Sequence, residues 1–201
     1  MKNVEILRPY LPEGTAEMMA KWIDYFQVEL SINRPRTSVL GDYRHPYAGR
    51  GHRISVNRDL NPYAFLITLI HEFAHLTNWN KHKNQVKPHG EEWKTEYKIL
   101  MQPLFDRKVF PEDIENAVRK YMMNPAASSC SDVHLLRILK KYDRVQHTVF
   151  VSTIPPGGFF QLKNGRKFQK LALIRKRYRC KEISSNNIYL FSPVTEVYLV
   201  E

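Results

Sequence analysis

A chain of 201 residues has room for one catalytic domain and a small appendage, and its 43% hydrophobic content implies a packed core rather than disorder. The formal net charge of +11 points to an anionic partner, nucleic acid ahead of a membrane surface or acidic proteins, although a solvated lysine surface would give the same sum. No run of about 18 apolar residues occurs, residues 1–8 lack an apolar core of signal-peptide length, Cys130 and Cys180 suit a reducing compartment, and no glycine-rich phosphate loop is present. The expectation is a soluble cytoplasmic protein with no membrane partner and no nucleotide cofactor.

Thr15 is placed to cap a first helix running to about Leu30, with Met19, Trp22, Ile23 and Phe26 on its inner face. Thr37 to Leu40 reads as a short strand, Gly41 to Gly51 as a loop, and His52 to Asn57 as an alternating strand with Ile54 and Val56 on one side. A free edge on that last strand could pair with an extended peptide. Asn61 and Pro62 then open a helix, as N-cap and first helical residue, which Asn78, Asn80 and the basic Lys81-His82-Lys83 bring to an end.

Between Ala64 and Leu76 of that helix the only polar side chains are Thr68, His71, Glu72 and His75. They fall at i, i+3, i+4 and i+7, one stripe on a helix otherwise apolar enough to be buried all round. Buried polar groups are costly unless paired or bound to a metal. His71 and His75, four apart, can offer two imidazole nitrogens to one tetrahedral ion, and Glu72, about 100° round from His71, lies beside them where it can act on a water. A third ligand is needed. The spacing of one metalloprotease class would place it at Lys81 with a glycine at Asn78, which fails, and His82 is one residue out of step. Glu92 or Glu96 on the following helix would serve. His89 is the better candidate, because it opens that helix beside Gly90, ahead of Trp93, Tyr97, Leu100, Met101 and Leu104 at helical spacing.

His71-Glu72-Phe73-Ala74-His75 followed by His89-Gly90-Glu91-Glu92-Trp93 resembles the SprT-like metalloproteases, whose pattern is HExxH and then a His-Gly-x-x-aromatic motif. That family includes the Spartan-type proteases, which degrade proteins crosslinked to DNA. The resemblance spans roughly residues 15 to 105. It implies one zinc ion held by His71, His75 and His89, Glu72 as catalytic base, and an α+β fold: a zincin-like helical metalloprotease domain with a small sheet. SprT-like proteins often end in a zinc ribbon with two CxxC pairs. Here only Cys180 stands in the corresponding region, so a second, structural zinc is not expected.

Downstream, Phe110 to Met123 and Asp132 to about Tyr142 read as helices, with Cys130 in the turn between them. These extend the first domain over residues 1–144. From residue 145 the period becomes alternating. His147 to Ser152, Phe159 to Leu162, Lys167 to Cys180, Ile188 to Phe191 and Glu196 to Val200 read as five strands of a small all-β module, 145–201. Nine Lys or Arg and no acidic residue lie between Lys163 and Lys181. Strand alternation puts Arg175, Arg177 and Arg179 on one face, about 7 Å apart, with Lys176 and Tyr178 on the other. Arg175, Lys176, Arg177 and Arg179 are therefore the nucleic-acid candidates; a basic solvent face is the alternative.

The functional expectation is a zinc-dependent endopeptidase acting on proteins bound or crosslinked to DNA, by attack of a zinc-activated water with Glu72 as base. Its partners are a protein substrate and DNA, which would bring it to the nucleoid. For the oxyanion, Tyr43, Arg44 and His45 are the available candidates. The rival is a non-catalytic zinc-containing DNA-binding module, which has no use for Glu72.

Overall fold

The computed structural model describes residues 2–36, 39–125, 132–144 and 148–200. The fold is α+β: among the described residues there are six α-helices and two sheets, of three and six strands. The protein divides into two compact units, Met1–Asp143 and Arg144–Glu201. Among the described residues no helix is long and apolar enough to cross a membrane.

The first unit is built round α3 (Pro62–His82). Its start is fixed by Asn61, whose Oδ1 accepts from the Ala64 backbone N–H at 3.0 Å. The same residue donates through Nδ2 to Leu139 O and Asp143 Oδ1, at 2.9 and 2.8 Å, tying the end of α6 (Val133–Lys140) to the start of α3. Phe65, Leu66, Leu69, Ile70, Phe73, Ala74 and Leu76 are all fully buried. Against α3 pack α4 (Glu91–Asp106) on one side and β2 (Gly41–Arg44) and β3 (Arg53–Asn57) on another. The helix passes Asn78 and Asn80 and closes at Lys83, whose left-handed backbone (φ 52°) lets its N–H bond Trp79 O at 2.7 Å.

The small sheet has the order β1-β3-β2, with β1 (Glu29–Asn33) parallel and β2 antiparallel to β3. Three expectations change here. The helix from Thr15, α2 (Ala16–Tyr25), ends five residues before Leu30, where Gln27, at φ 51°, turns the backbone into β1. Leu30 falls four residues after Phe26 and so fits a helical period, but with Ile32, two residues on, it packs on the core from a strand instead. The loop read from Gly41 begins with β2, a four-residue strand recruited by pairing with β3 and packing on α3 rather than by any alternation of its own. Because β1 and β2 flank β3, the strand with a free edge beside α3 is β2, not His52–Asn57. Of the strand expected over Thr37 to Leu40, Thr37 and Ser38 lie outside the described residues and Val39 and Leu40 are irregular. A helix not foreseen, α1 (Lys2–Leu7), packs against α2. Thr15 stands at the N-cap of α2, but its hydroxyl donates to Pro12 O at 2.7 Å rather than capping. Phe110 to Met123 is realised as α5 (Glu112–Met122). Cys130, with residues 126–131, lies outside the described residues.

The second unit is a six-stranded antiparallel sheet in the order β4-β9-β5-β6-β7-β8. Its strands are β4 (Val149–Phe150), β5 (Phe159–Gln161), β6 (Lys167–Ile174), β7 (Arg177–Glu182), β8 (Ile188–Phe191) and β9 (Glu196–Leu199). The single strand expected from Lys167 to Cys180 is a hairpin, because Arg175 and Lys176 form a two-residue turn with Arg175 at φ 55°. Val151, Ile154, Phe160, Phe168, Cys180 and Val197 make its core. Lys170 is also buried, at 3% exposure, with no carboxylate partner among the described residues. Its Nζ donates to Ser152 O and Ile154 O, at 3.2 and 2.5 Å, and lies 4.0 Å from the Tyr178 ring centre, while burial pulls its pKa below the usual lysine range. A lysine thus pins the 151–154 turn to the sheet.

Candidate metal centre

His71 and His75 lie one turn apart on α3, and His89 stands in the turn just ahead of Gly90, the N-cap of α4. One ligand nitrogen of each lies within 4.8 Å of the other two. The ring centres are 5.0 Å apart for His71 and His75, 5.4 Å for His71 and His89, and 4.5 Å for His75 and His89. Trp93, fully buried one turn into α4, touches all three rings at 4.6, 5.4 and 4.8 Å, and Tyr97 stacks beneath it at 5.1 Å. Gly90 lets the turn fold this tightly. A Cβ there would lie 2.9 Å from Glu92 Oε2 and 3.2 Å from Lys87 O.

The rings are held in their neutral, ligating form. Burial, then the neighbouring His75 and His89, pushes the His71 pKa down to about 3; burial and His89 do the same for His75, also to about 3. Burial lowers that of His89 too. His71 Nδ1 and His89 Nε2 are buried with no hydrogen-bond partner among the described residues, an arrangement costly in an apolar core. Three neutral imidazoles, two of them with an orphaned nitrogen, fit a metal ion. This is the one such cluster among the described residues. Neither alternative ligand joins the cluster: Glu96 is buried against Lys81 at 2.6 Å, and Glu92 is exposed.

A family model, the SprT-like family, matches residues 16–115. The protein belongs to the SprT-like family. No curated protein and no solved structure matches it.

In this SprT-like protein the three histidines and Glu72 line an open cleft of about 600 Å³. Gly41, Asp42 and Tyr43 of β2 line one side, and Lys83, Val86 and Pro88 line another. Glu72 is 6% exposed, and burial, with a smaller contribution from Asp42 and an opposing one from Arg36, pushes its carboxyl up to about 8. A carboxyl poised near neutrality is a stronger base than an exposed one. A divalent cation at the histidines would draw that value back down.

Of the oxyanion candidates, Tyr43 and His45 line the cleft and Arg44 does not; Arg44 is exposed and ion-paired to Asp42 at 2.9 Å. Tyr43 stacks on His75 (6.4 Å, 3°) and shares a hydrogen bond with His52 Nδ1 at 2.9 Å, and burial raises its pKa well above the phenol range, so it stays protonated. Trp79 lies between His45, stacked at 5.4 Å, and His52, edge-on at 5.4 Å.

Gly41 has a part that no motif announced. A Cβ on it would fall 2.5 Å from Glu72 Oε1 and 2.7 Å from Thr68 Cγ2. Thr68 is β-branched on a buried helix and cannot swing away. Gly41→Ala should therefore displace the Glu72 carboxylate and cost about 10²-fold in rate, the usual penalty for an ångström of misplacement, with metal content unchanged. Initial rates beside metal analysis check this; an alanine variant with full activity would show that β2 yields instead.

In the second unit, Arg175 and Lys176 occupy the turn rather than a strand face, so the expected row of Arg175, Arg177 and Arg179 is broken. Arg177 and Arg179 are exposed on β7 beside Lys181, while Tyr178 and Cys180 alternate with them toward the core.

Proposed function

We propose that the protein is a zinc-dependent endopeptidase acting on proteins bound or crosslinked to DNA. The observation that carries this is a buried carboxyl with a raised pKa sharing one open cleft with three neutral imidazoles, two of which have an orphaned nitrogen. Three imidazole nitrogens are a donor set suited to zinc. His71, His75 and His89 would hold the zinc, which would supply a Lewis acid for the scissile carbonyl and for the attacking water.

The protein's own residues do the rest. The free edge of β2 pairs with an extended peptide through backbone hydrogen bonds and lays it along the cleft. Glu72 takes a proton from the attacking water as the new C–O bond forms, then passes it to the leaving nitrogen as the C–N bond breaks. Tyr43, protonated and facing the cleft, donates to the developing oxyanion.

The DNA part rests on charge. Residues 144–201 hold 10 Lys or Arg against 3 acidic residues, a net +7, and residues 1–143 hold 21 against 17, a net +4, so 58 residues carry most of the excess. Arg177, Arg179 and Lys181 on one strand face, with Arg175 and Lys176 at its tip, suit a phosphate backbone.

Zinc-loaded protein incubated with a DNA-bound basic protein should cleave it faster with DNA than without, and the stimulation should fade with salt as phosphate contacts are screened. Cleavage equal with and without DNA would leave a peptidase but remove the DNA target. DNA binding with no cleavage under any condition would favour the non-catalytic zinc module.

A further inference from the structure

Asn78 lies on the face of α3 that carries the metal cluster, three residues after His75 and seven after His71, one turn beyond the last α3 ligand. It lines the cleft yet is only 5% exposed. Its Oδ1 is buried without a hydrogen-bond partner. The contrast with the other two buried asparagines is direct. Asn61 uses both amide atoms, toward Ala64 N, Leu139 O and Asp143. Asn57 donates to Arg36 O and Val39 O and accepts from Arg36 Nε. Those two hold the fold together, whereas the Asn78 amide holds nothing among the described residues. Trp79 Nε1, next along the helix and in a residue that also lines the cleft, is a buried donor with no partner either.

An asparagine kept in an apolar helix at the cost of an unpaired carbonyl has its partner elsewhere. Nothing internal fixes its terminal torsion, which is soft, so a half-turn presents either amide atom to the cleft. A carboxamide is complementary to a peptide group: Oδ1 accepts from a backbone N–H and Nδ2 donates to a backbone carbonyl. We propose that Asn78 binds the peptide backbone of the substrate beside the scissile bond, opposite the β2 edge. The proposal rests on the peptidase reading of the same cleft. An amide-to-backbone contact is blind to the substrate's sequence, so it adds binding without adding sequence preference.

The test compares zinc-loaded parent and Asn78→Leu on a short fluorescent peptide spanning a bond that the parent cleaves in denatured casein. Leucine removes the amide and fills the same space. The expected result is equal zinc content, a thermal midpoint unchanged or higher because no internal hydrogen bond is lost, and KM raised about tenfold with little change in kcat. Binding of the same peptide is then measured by anisotropy in the Glu72→Gln background, with and without Asn78→Leu, using peptides N-methylated at one backbone position at a time. One methylation should weaken binding when Asn78 is present and have no further effect when it is absent. Unchanged KM and peptide affinity in Asn78→Leu, or methylation losses identical in the two backgrounds, would overturn the proposal. So would a lowered thermal midpoint with KM unmoved, which would mark a structural asparagine. If the parent cleaves no peptide the peptidase reading fails by itself, and a peptide of the same casein still decides the role of Asn78 by anisotropy, where absence of any binding counts against it.

Discussion

Zinc-loaded protein carrying Glu72→Gln is expected to keep its metal and to cleave about 10²–10⁴-fold more slowly than the parent, the range that a positioned general base contributes. In free energy that is roughly 3–5 kcal/mol of barrier. Glutamine has nearly the shape of glutamate, so the close fit between Gly41, Thr68 and residue 72 survives. What is lost is the proton acceptor. Metal content should not follow activity, because the three imidazoles that fit the ion are untouched. The measurement is initial rate per bound zinc, with zinc determined on the same sample. A variant that cleaves as fast as the parent would remove Glu72 from the reaction and leave the rival zinc module standing.

How much of this could be read without coordinates depends on where the cause of each feature lies along the sequence. The metal helix was legible because its causes are local: an N-cap at Asn61, a proline at the first position, and four polar residues in one stripe through an apolar run. His89 was legible because the glycine and tryptophan that follow it belong to the same short segment, and Trp93 does back all three rings. Gly41 was not. Its requirement comes from Glu72, more than thirty residues away, through a contact that exists only once β2 lies on α3. Asn78 was visible as a residue but read as an end-of-helix marker. Asparagine commonly plays that part, and the helix runs on to His82 because Trp79 anchors its last turn.

The strands were read less well, for the opposite reason. β2 has no hydrophobic alternation and is a strand only by virtue of β3, while Leu30 of β1 falls four residues after Phe26, a spacing compatible with continuing α2. In the second unit the alternation through Lys167–Cys180 is continuous in composition and hides a turn at Arg175 and Lys176, since neither is a usual turn residue. A left-handed arginine there is strained relative to glycine. The same turn moves two basic residues from a strand face to a hairpin tip, which changes where the proposed phosphate backbone would be met without changing the net charge of the unit. Lys170 was beyond reach as well. Within a run of basic residues it reads as solvated, and only the carbonyls of Ser152 and Ile154 and the Tyr178 ring explain its burial.

His89→Ala is expected to abolish cleavage by releasing the metal rather than by disturbing the base. Structural zinc sites bind with about 10–16 kcal/mol, so each of four ligands accounts for roughly 2.5–4 kcal/mol, and removal of one should weaken affinity by about 10²–10³-fold. The fold should tolerate the change. His89 is in a turn outside α4, its Nε2 has no protein partner, and Trp93, Tyr97 and the α3 core remain buried without it. Metal-free parent and metal-free variant should therefore melt within a few degrees of each other, while added zinc stabilises the parent far more than the variant, as a ligand that binds only the native state must. Competition with a chromophoric chelator gives the affinities, and thermal melts with and without zinc give the linkage. If His89→Ala binds zinc as tightly as the parent, the third ligand is another group and the assignment of His89 fails. If the variant melts much earlier even without metal, His89 supports the fold through its contacts with His75 and Trp93, and its loss of activity would then say nothing about zinc.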